Sequence, residues 1–191
     1  MSTQPAPKRE RPPVNARLAR RPWDEKRNLP IPVFNENDDG TDHNFLLVNF
    51  TKSARCAKFR LCGVCGEDLG QTAAFLGGPI SANSRCYVDP GMHESCARDA
   101  LILCPHLSIP HASRASDERV GESTTTKGMS LKRPEFLVMG ITRSWNIVYS
   151  SPHGPHIRAN PWVRTHVFKY ENFRLAEQPP GTAYDVPGIR P

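Results

Sequence analysis

The feature that most constrains this chain is a pair of short motifs, Cys62-Gly63-Val64-Cys65-Gly66 and His93-Glu94-Ser95-Cys96, with 27 residues between Cys65 and His93. A Cys-x-x-Cys-Gly turn is a knuckle whose backbone amides point at the two thiolates, and the glycine after the second cysteine permits the tight approach. The second pair is placed differently. Asp89-Pro90-Gly91 precedes Met92, Cys96, Ala97, Ala100, Leu101, Leu103 and Cys104, which are spaced as one face of a helix that Pro105 stops. His93 and Cys96 then share the first helical turn and one side of it. Leu69 to Phe75 and Arg85 to Val88 read as two strands of a hairpin turning through Gly77-Gly78-Pro79. Knuckle, hairpin and helix together predict a treble-clef-like site in which Cys62, Cys65, His93 and Cys96 close a tetrahedron around one structural zinc ion. The helix N-terminus is expected to depress the pKa of Cys96.

Other readings of the cysteines compete with this one. A thioredoxin-like redox pair at Cys62 and Cys65 lacks the surrounding βαβ pattern, and disulfides do not suit the cytoplasmic setting that the absence of a signal-like segment suggests. Cys56 and Cys86 read as small buried residues. Cys104, on the apolar helix face, reads as core and stays open as a ligand in place of His93. His106 and His111 after the helix, and His153 and His156 further on, read as ordinary loop or surface histidines.

Charge divides the chain unevenly. Residues 1–30 hold eight Lys/Arg, namely Lys8, Arg9, Arg11, Arg17, Arg20, Arg21, Lys26 and Arg27, against three acids, so +5 of the formal +6 lies there. Six prolines and no periodic apolar face make this stretch a disordered basic arm, and its cations are candidate phosphate contacts to DNA or RNA. Apolar runs such as Phe45-Leu46-Leu47-Val48 are at most strand-sized, so no membrane span is expected. No small-molecule substrate is indicated.

The order along the chain follows from these signals: arm 1–30, zinc-binding core 31–107, linker or loop 108–130, β-rich segment 131–176 and tail 177–191. Phe45 to Phe50 reads as a strand or short core segment. Phe136 to Thr142 and Trp145 to Tyr149 read as a hairpin around Arg143-Ser144, and Trp162 to Phe168 as a further strand. The fold class is therefore α+β, a treble-clef-like core with a small additional sheet.

The series Cys62-Gly63-Val64-Cys65-Gly66, Gly77-Gly78-Pro79, Met92-His93-Glu94-Ser95-Cys96-Ala97 and Cys104-Pro105-His106-Leu107 resembles a family of uncharacterised proteins from actinobacteria and their phages. The resemblance covers about 47 residues strongly. It implies a zinc-finger-like fold and a phage or prophage origin, makes Cys104 and Pro105 part of the motif, and implies no reaction.

Three function classes remain. A nucleic-acid-binding accessory module would use zinc as scaffold and the arm for phosphate. A protein-interaction module docking on host or phage machinery would use Trp145, Tyr149 and Trp162 as anchors, although their β-prone runs assign them to the core. An HNH-like nuclease needs a histidine base on the hairpin, and Leu69 to Val88 contains no histidine; Glu67, Asp68 and Asp89 are the acids left to hold a cation. The expected protein is non-enzymatic.

Overall fold

A computed structural model describes residues 10–110, 134–150 and 154–182. The architecture is mixed α+β with three small sheets. No helix among the described residues is long and apolar enough to cross a membrane. Lys8, Arg9, His111, His153, residues 111–130 of the expected linker and residues 183–191 of the tail lie outside the described residues.

The chain enters through a single-turn helix α1 (Ala16–Ala19), capped by Asn15, whose side-chain oxygen accepts from the amides of Arg17 and Leu18. Two short strands, β1 (Trp23–Asp24) and β2 (Leu29–Pro30), then pair antiparallel. This part departs from the expectation of a disordered arm over residues 1–30. Leu18 is only 2% exposed and belongs to the main core, and Arg21 pairs with Glu36. The disorder argument rests on too few apolar groups to offset chain entropy; here one leucine and several ion pairs to the folded core supply the anchoring.

Phe45 to Phe50, expected as a strand or core segment, form a turn that leads into helix α2 (Phe50–Phe59). Its signals are Asn49, whose side chain accepts from the Lys52 amide, and Ser53, Cys56 and Ala57, which share the buried face. Arg60 closes it in the left-handed region at φ +55°. Strand β3 (Ala73–Gly77), helix α3 (Pro79–Ser84) and strand β4 (Cys86–Tyr87) come next. The expected hairpin between β3 and β4 does not form. Gly78 caps α3 and Pro79 supplies its pre-set first residue, so the Gly-Gly-Pro segment starts a helix and carries β4 into another sheet. What remains of the hairpin is a single antiparallel bridge, Ala74 to Met92, whose amides and carbonyls exchange bonds of 2.7 and 3.0 Å. Helix α4 (Glu94–Leu103) follows as the spacing predicts and ends at Cys104, where Pro105 begins the short α5 (Pro105–Ser108).

Beyond the undescribed stretch lie β5 (Phe136–Thr142), β6 (Trp145–Ser150), β7 (Gly154–Ala159), β8 (Arg164–Glu171) and β9 (Arg174–Glu177). All pairing is antiparallel, in the orders β3-β5-β8-β9 and β4-β7-β6. The expected β5–β6 hairpin is therefore corrected: Arg143-Ser144 passes the chain from one sheet to the other. A two-residue hairpin loop favours glycine or asparagine in positive φ, which Arg143-Ser144 does not offer, and the Thr142 hydroxyl donates instead to the Ser144 carbonyl at 3.0 Å. The β8–β9 turn has the required conformation, with Asn172 and Phe173 both at positive φ. Since β3 and β4 pair with β5 and β7, residues 31–107 and 131–176 share both sheets and one core. At its centre Phe75, 1% exposed, meets the rings of Tyr87, Trp145 and Trp162 at 5.1, 5.9 and 6.4 Å.

Candidate metal centre

The knuckle is built by backbone bonds around Cys62. Its amide donates to the Glu67 carbonyl at 2.7 Å, the Gly66 amide returns to the Cys62 carbonyl at 2.8 Å, and Gly66 sits at φ +82°, where a side chain would be strained. A second glycine lets another segment approach. A Cβ on Gly63 would lie 2.3 Å from Pro90 Cγ, and the Gly63 amide donates to the Gly91 carbonyl at 3.0 Å. The knuckle is thereby locked to the two residues that lead into His93. His93 is the N-cap of α4, and Cys96 lies in the first turn.

These elements bring Cys62, Cys65, His93 and Cys96 together, with one ligand atom from each within 4.8 Å of every other. Cys62 and Cys96 are fully buried, Cys65 nearly so and His93 partly. His93 Nδ1 is 3.4 Å from Cys65 Sγ and 4.0 Å from Cys96 Sγ. Metal–sulfur bonds of about 2.3 Å and metal–nitrogen bonds of about 2.0 Å at tetrahedral angles place such atoms roughly 3.5 Å apart, so the spacing suits a small tetrahedral cation, zinc included. The other ring nitrogen settles the tautomer. His93 Nε2 lies 2.9 Å from the Asp68 carbonyl, which can only accept, so Nε2 carries the proton and Nδ1 presents its lone pair to the three sulfurs.

Electrostatics argue in the same direction. Burial opposes a charge on Cys62, yet the thiols of Cys65 and Cys96 and the amides of Cys65 and His93 all point at its sulfur and bring its pKa down to about 3. Hydrogen bonds to the Cys62 and Cys65 sulfurs, followed by burial and the charge on those sulfurs, push the Cys96 thiol up. The expected depression of Cys96 by the helix terminus is thus reversed, because two sulfurs in contact outweigh a diffuse helix dipole. Only a cation at the centre would let all three sulfurs carry charge together.

The surroundings contain what the spacing of cysteines did not indicate. Asn15 reaches across from α1: its amide and side-chain nitrogens donate to Asp99 Oδ2 at 2.8 and 2.7 Å, and Nδ2 stands 3.8 Å from Cys96 Sγ. Arg17 and Arg20 both bind Glu67, beside the knuckle. The signal available in the sequence was the Asn15 cap itself, three residues ahead of Leu18. Cys104 caps α4 at its far end and is outside the four-atom group, and burial pushes the Cys56 thiol up to about 11, as fits a core residue. The acids considered for a nuclease are used locally: Glu67 by the two arginines, and Asp68 Oδ1 by the Gly70 amide at 2.7 Å.

Five of the eight candidate phosphate contacts of the arm, its described arginines, are engaged with acids of the chain itself, while Lys26 forms no ion pair among the described residues. Arg11 pairs with Glu25 and lies over the Trp23 ring, Arg17 and Arg20 pair with Glu67, Arg21 with Glu36, and Arg27 with Asp24. Trp145 and Trp162, the candidate anchors, pack against the core and donate their indole N–H groups to the carbonyls of Ala57 and Ala82 at 2.9 and 3.1 Å. The chain matches no protein-family model, no curated protein and no solved structure.

Proposed function

We propose that this protein is a non-catalytic binding module whose fold is set by one structural zinc ion in a treble-clef-like site, with Cys62, Cys65 and Cys96 as thiolate ligands and His93 Nδ1 as the fourth. The observation that carries this reading is the convergence of the four donor atoms within 4.8 Å, buried and oriented by backbone bonds. Three sulfurs and an imidazole are the donor set zinc prefers, and four protein ligands leave no position for water or substrate. The ion also resolves the electrostatic conflict of the cluster, since a divalent charge at the centre allows Cys96 to lose its proton. Asp68 and Asn15 act around the ligands, the first by orienting His93 and the second by covering Cys96.

Elemental mass spectrometry on the purified chain and on Cys65→Ser tests the reading. About one zinc per wild-type chain, lost in the variant together with cooperative folding, is the expected result. A wild-type protein that folds without metal, or that holds a redox-active ion, would overturn it.

A further inference from the structure

The net positive charge has a second location besides the N-terminal stretch. Residues 43–66 and residues 136–170 contain no Asp or Glu at all, and each carries four Lys/Arg. The fold brings parts of these two segments together, because α2 lies against β6 and β7 and Trp145 of β6 donates to the Ala57 carbonyl of α2. Arg60 spans the junction: its guanidinium stacks over the Trp145 ring at 4.4 Å and donates to the Arg143 carbonyl at 3.3 Å.

On the outward side of α2, Arg55, Lys58 and Phe59 follow one another at helical spacing, and all three are exposed. Phe59 is 57% exposed, with the Lys58 ammonium 5.4 Å from its ring centre. Arg143, whose carbonyl accepts from Arg60, is exposed as well. None of Arg55, Lys58 and Arg143 forms an ion pair among the described residues, whereas the arm's arginines nearly all do. An exposed aromatic face flanked by cations without an acid partner is the chemistry that recognises an unpaired base and its backbone.

We infer that the face of α2 formed by Arg55, Lys58, Phe59 and Arg60, with the adjoining Arg143, is a binding surface for single-stranded nucleic acid. The cations hold the sugar-phosphate backbone and Phe59 stacks on a base. Duplex DNA, whose bases are already stacked, gains only the phosphate contribution here.

The test is fluorescence anisotropy of labelled oligothymidylate, oligouridylate and a duplex of equal length, titrated with the full zinc-loaded chain at about 50 mM salt and again at about 200 mM. The single strands should bind more tightly than the duplex, with affinity falling steeply as salt rises. R55E/K58E should weaken binding by about tenfold or more and flatten the salt dependence. Phe59→Ala should weaken single-strand binding by about fivefold or more with the salt dependence kept, since stacking is not screened. K169E/R174E, an equal change in charge on exposed positions of β8 and β9, is the control and should alter affinity by less than about twofold, because it lies outside the binding face. Zinc content and circular dichroism on the same samples separate this proposal from the metal reading: a zinc-loaded, folded chain that binds neither strand overturns the surface and leaves the zinc site standing. The surface is likewise overturned if the control double variant weakens binding as much as R55E/K58E. Equal affinity for duplex with Phe59→Ala neutral overturns the single-strand assignment.

Discussion

The two ends of the core are ordered by different physics. Around Cys62, Cys65, His93 and Cys96, the position of every backbone segment follows from four donor atoms and the amides that point at them. Around Phe75, Trp145, Trp162 and Gly140, nothing is fixed by a single atom, and order comes from the fit of ring volumes between two sheets. On the proposed zinc reading, the first kind of order is concentrated and depends on an ion and on protonation. The second is distributed and depends on neither, so a chain with a modest apolar fraction can hold one end by ligation where packing alone would be thin.

Removing the ion should produce the largest effect. Chelation, or Cys96→Ser, is expected to abolish amide-exchange protection in residues 61–70 and 91–103, a loss on the scale of the roughly 10 kcal/mol that structural zinc sites supply. Hydrogen exchange read by mass spectrometry then sharpens the comparison. Protection that survives in β5 and β8 means the two ends open separately; protection lost everywhere at one chelator concentration means they form one cooperative unit.

Gly140→Ala attacks the other end. A Cβ there would lie 2.6 Å from ring atoms of Trp162, whose indole covers the glycine. The expected cost is about 2 kcal/mol in denaturant unfolding, with zinc content unchanged and the Trp162 fluorescence environment altered. A Gly140→Ala chain that loses zinc would break the distinction between the two ends.

Asn15→Ala probes the link between the N-terminal stretch and the metal. It removes the cap of α1 and the side-chain bond to Asp99, leaving the backbone bond in place, which should lower stability by about 1 kcal/mol. Transfer of metal to a chromophoric chelator should become about tenfold faster, the scale on which groups surrounding metal ligands act. An unchanged transfer rate would detach α1 from the site.

A further test uses acid. Burial disfavours the charge on Asp24, but the Arg27 amide, His43 and the Arg27 guanidinium outweigh it and hold its pKa down to about 2. A carboxylate depressed in the folded state contributes stability that is complete above its unfolded pKa of about 3.9 and is lost as pH falls through about 2. Trp23 fluorescence during acid titration should show that loss between about pH 4 and pH 2, and Asp24→Asn should remove that limb of the curve.

A second contrast lies on the surface. The arginines of residues 10–30 and those of α2 look alike in sequence, yet the former meet Glu25, Glu36, Glu67 and Asp24, while among the described residues Arg55 and Lys58 meet no acid. Pairing thus compensates the described arginines of the N-terminal stretch and leaves Arg55 and Lys58 of α2 uncompensated.

The cluster of Cys62, Cys65, His93 and Cys96 was legible because its signals are local: a knuckle needs Cys-x-x-Cys-Gly, and a helix entry presents residues three apart on one side. Helix α4 and strand β8 were legible through periodicity and a proline stop. The order of the N-terminal stretch was not, since it depends on Leu18 finding the core and on Asn15 finding Asp99, 84 residues away. The Gly77-Gly78-Pro79 and Arg143-Ser144 segments were misassigned for one reason. Whether two β-prone runs pair with each other is settled by which partners bury their faces best, and β3 and β5 bury Phe75 and Met139 together in a way that neither does with its neighbour in sequence. The sequence by itself determined the cluster of Cys62, Cys65, His93 and Cys96, the helix that carries two of them and the α+β class. Strand partners, the anchoring of residues 10–30 and the identity of the unpaired cations were decided only in three dimensions, because each depends on long-range contacts whose competing alternatives local propensity cannot rank.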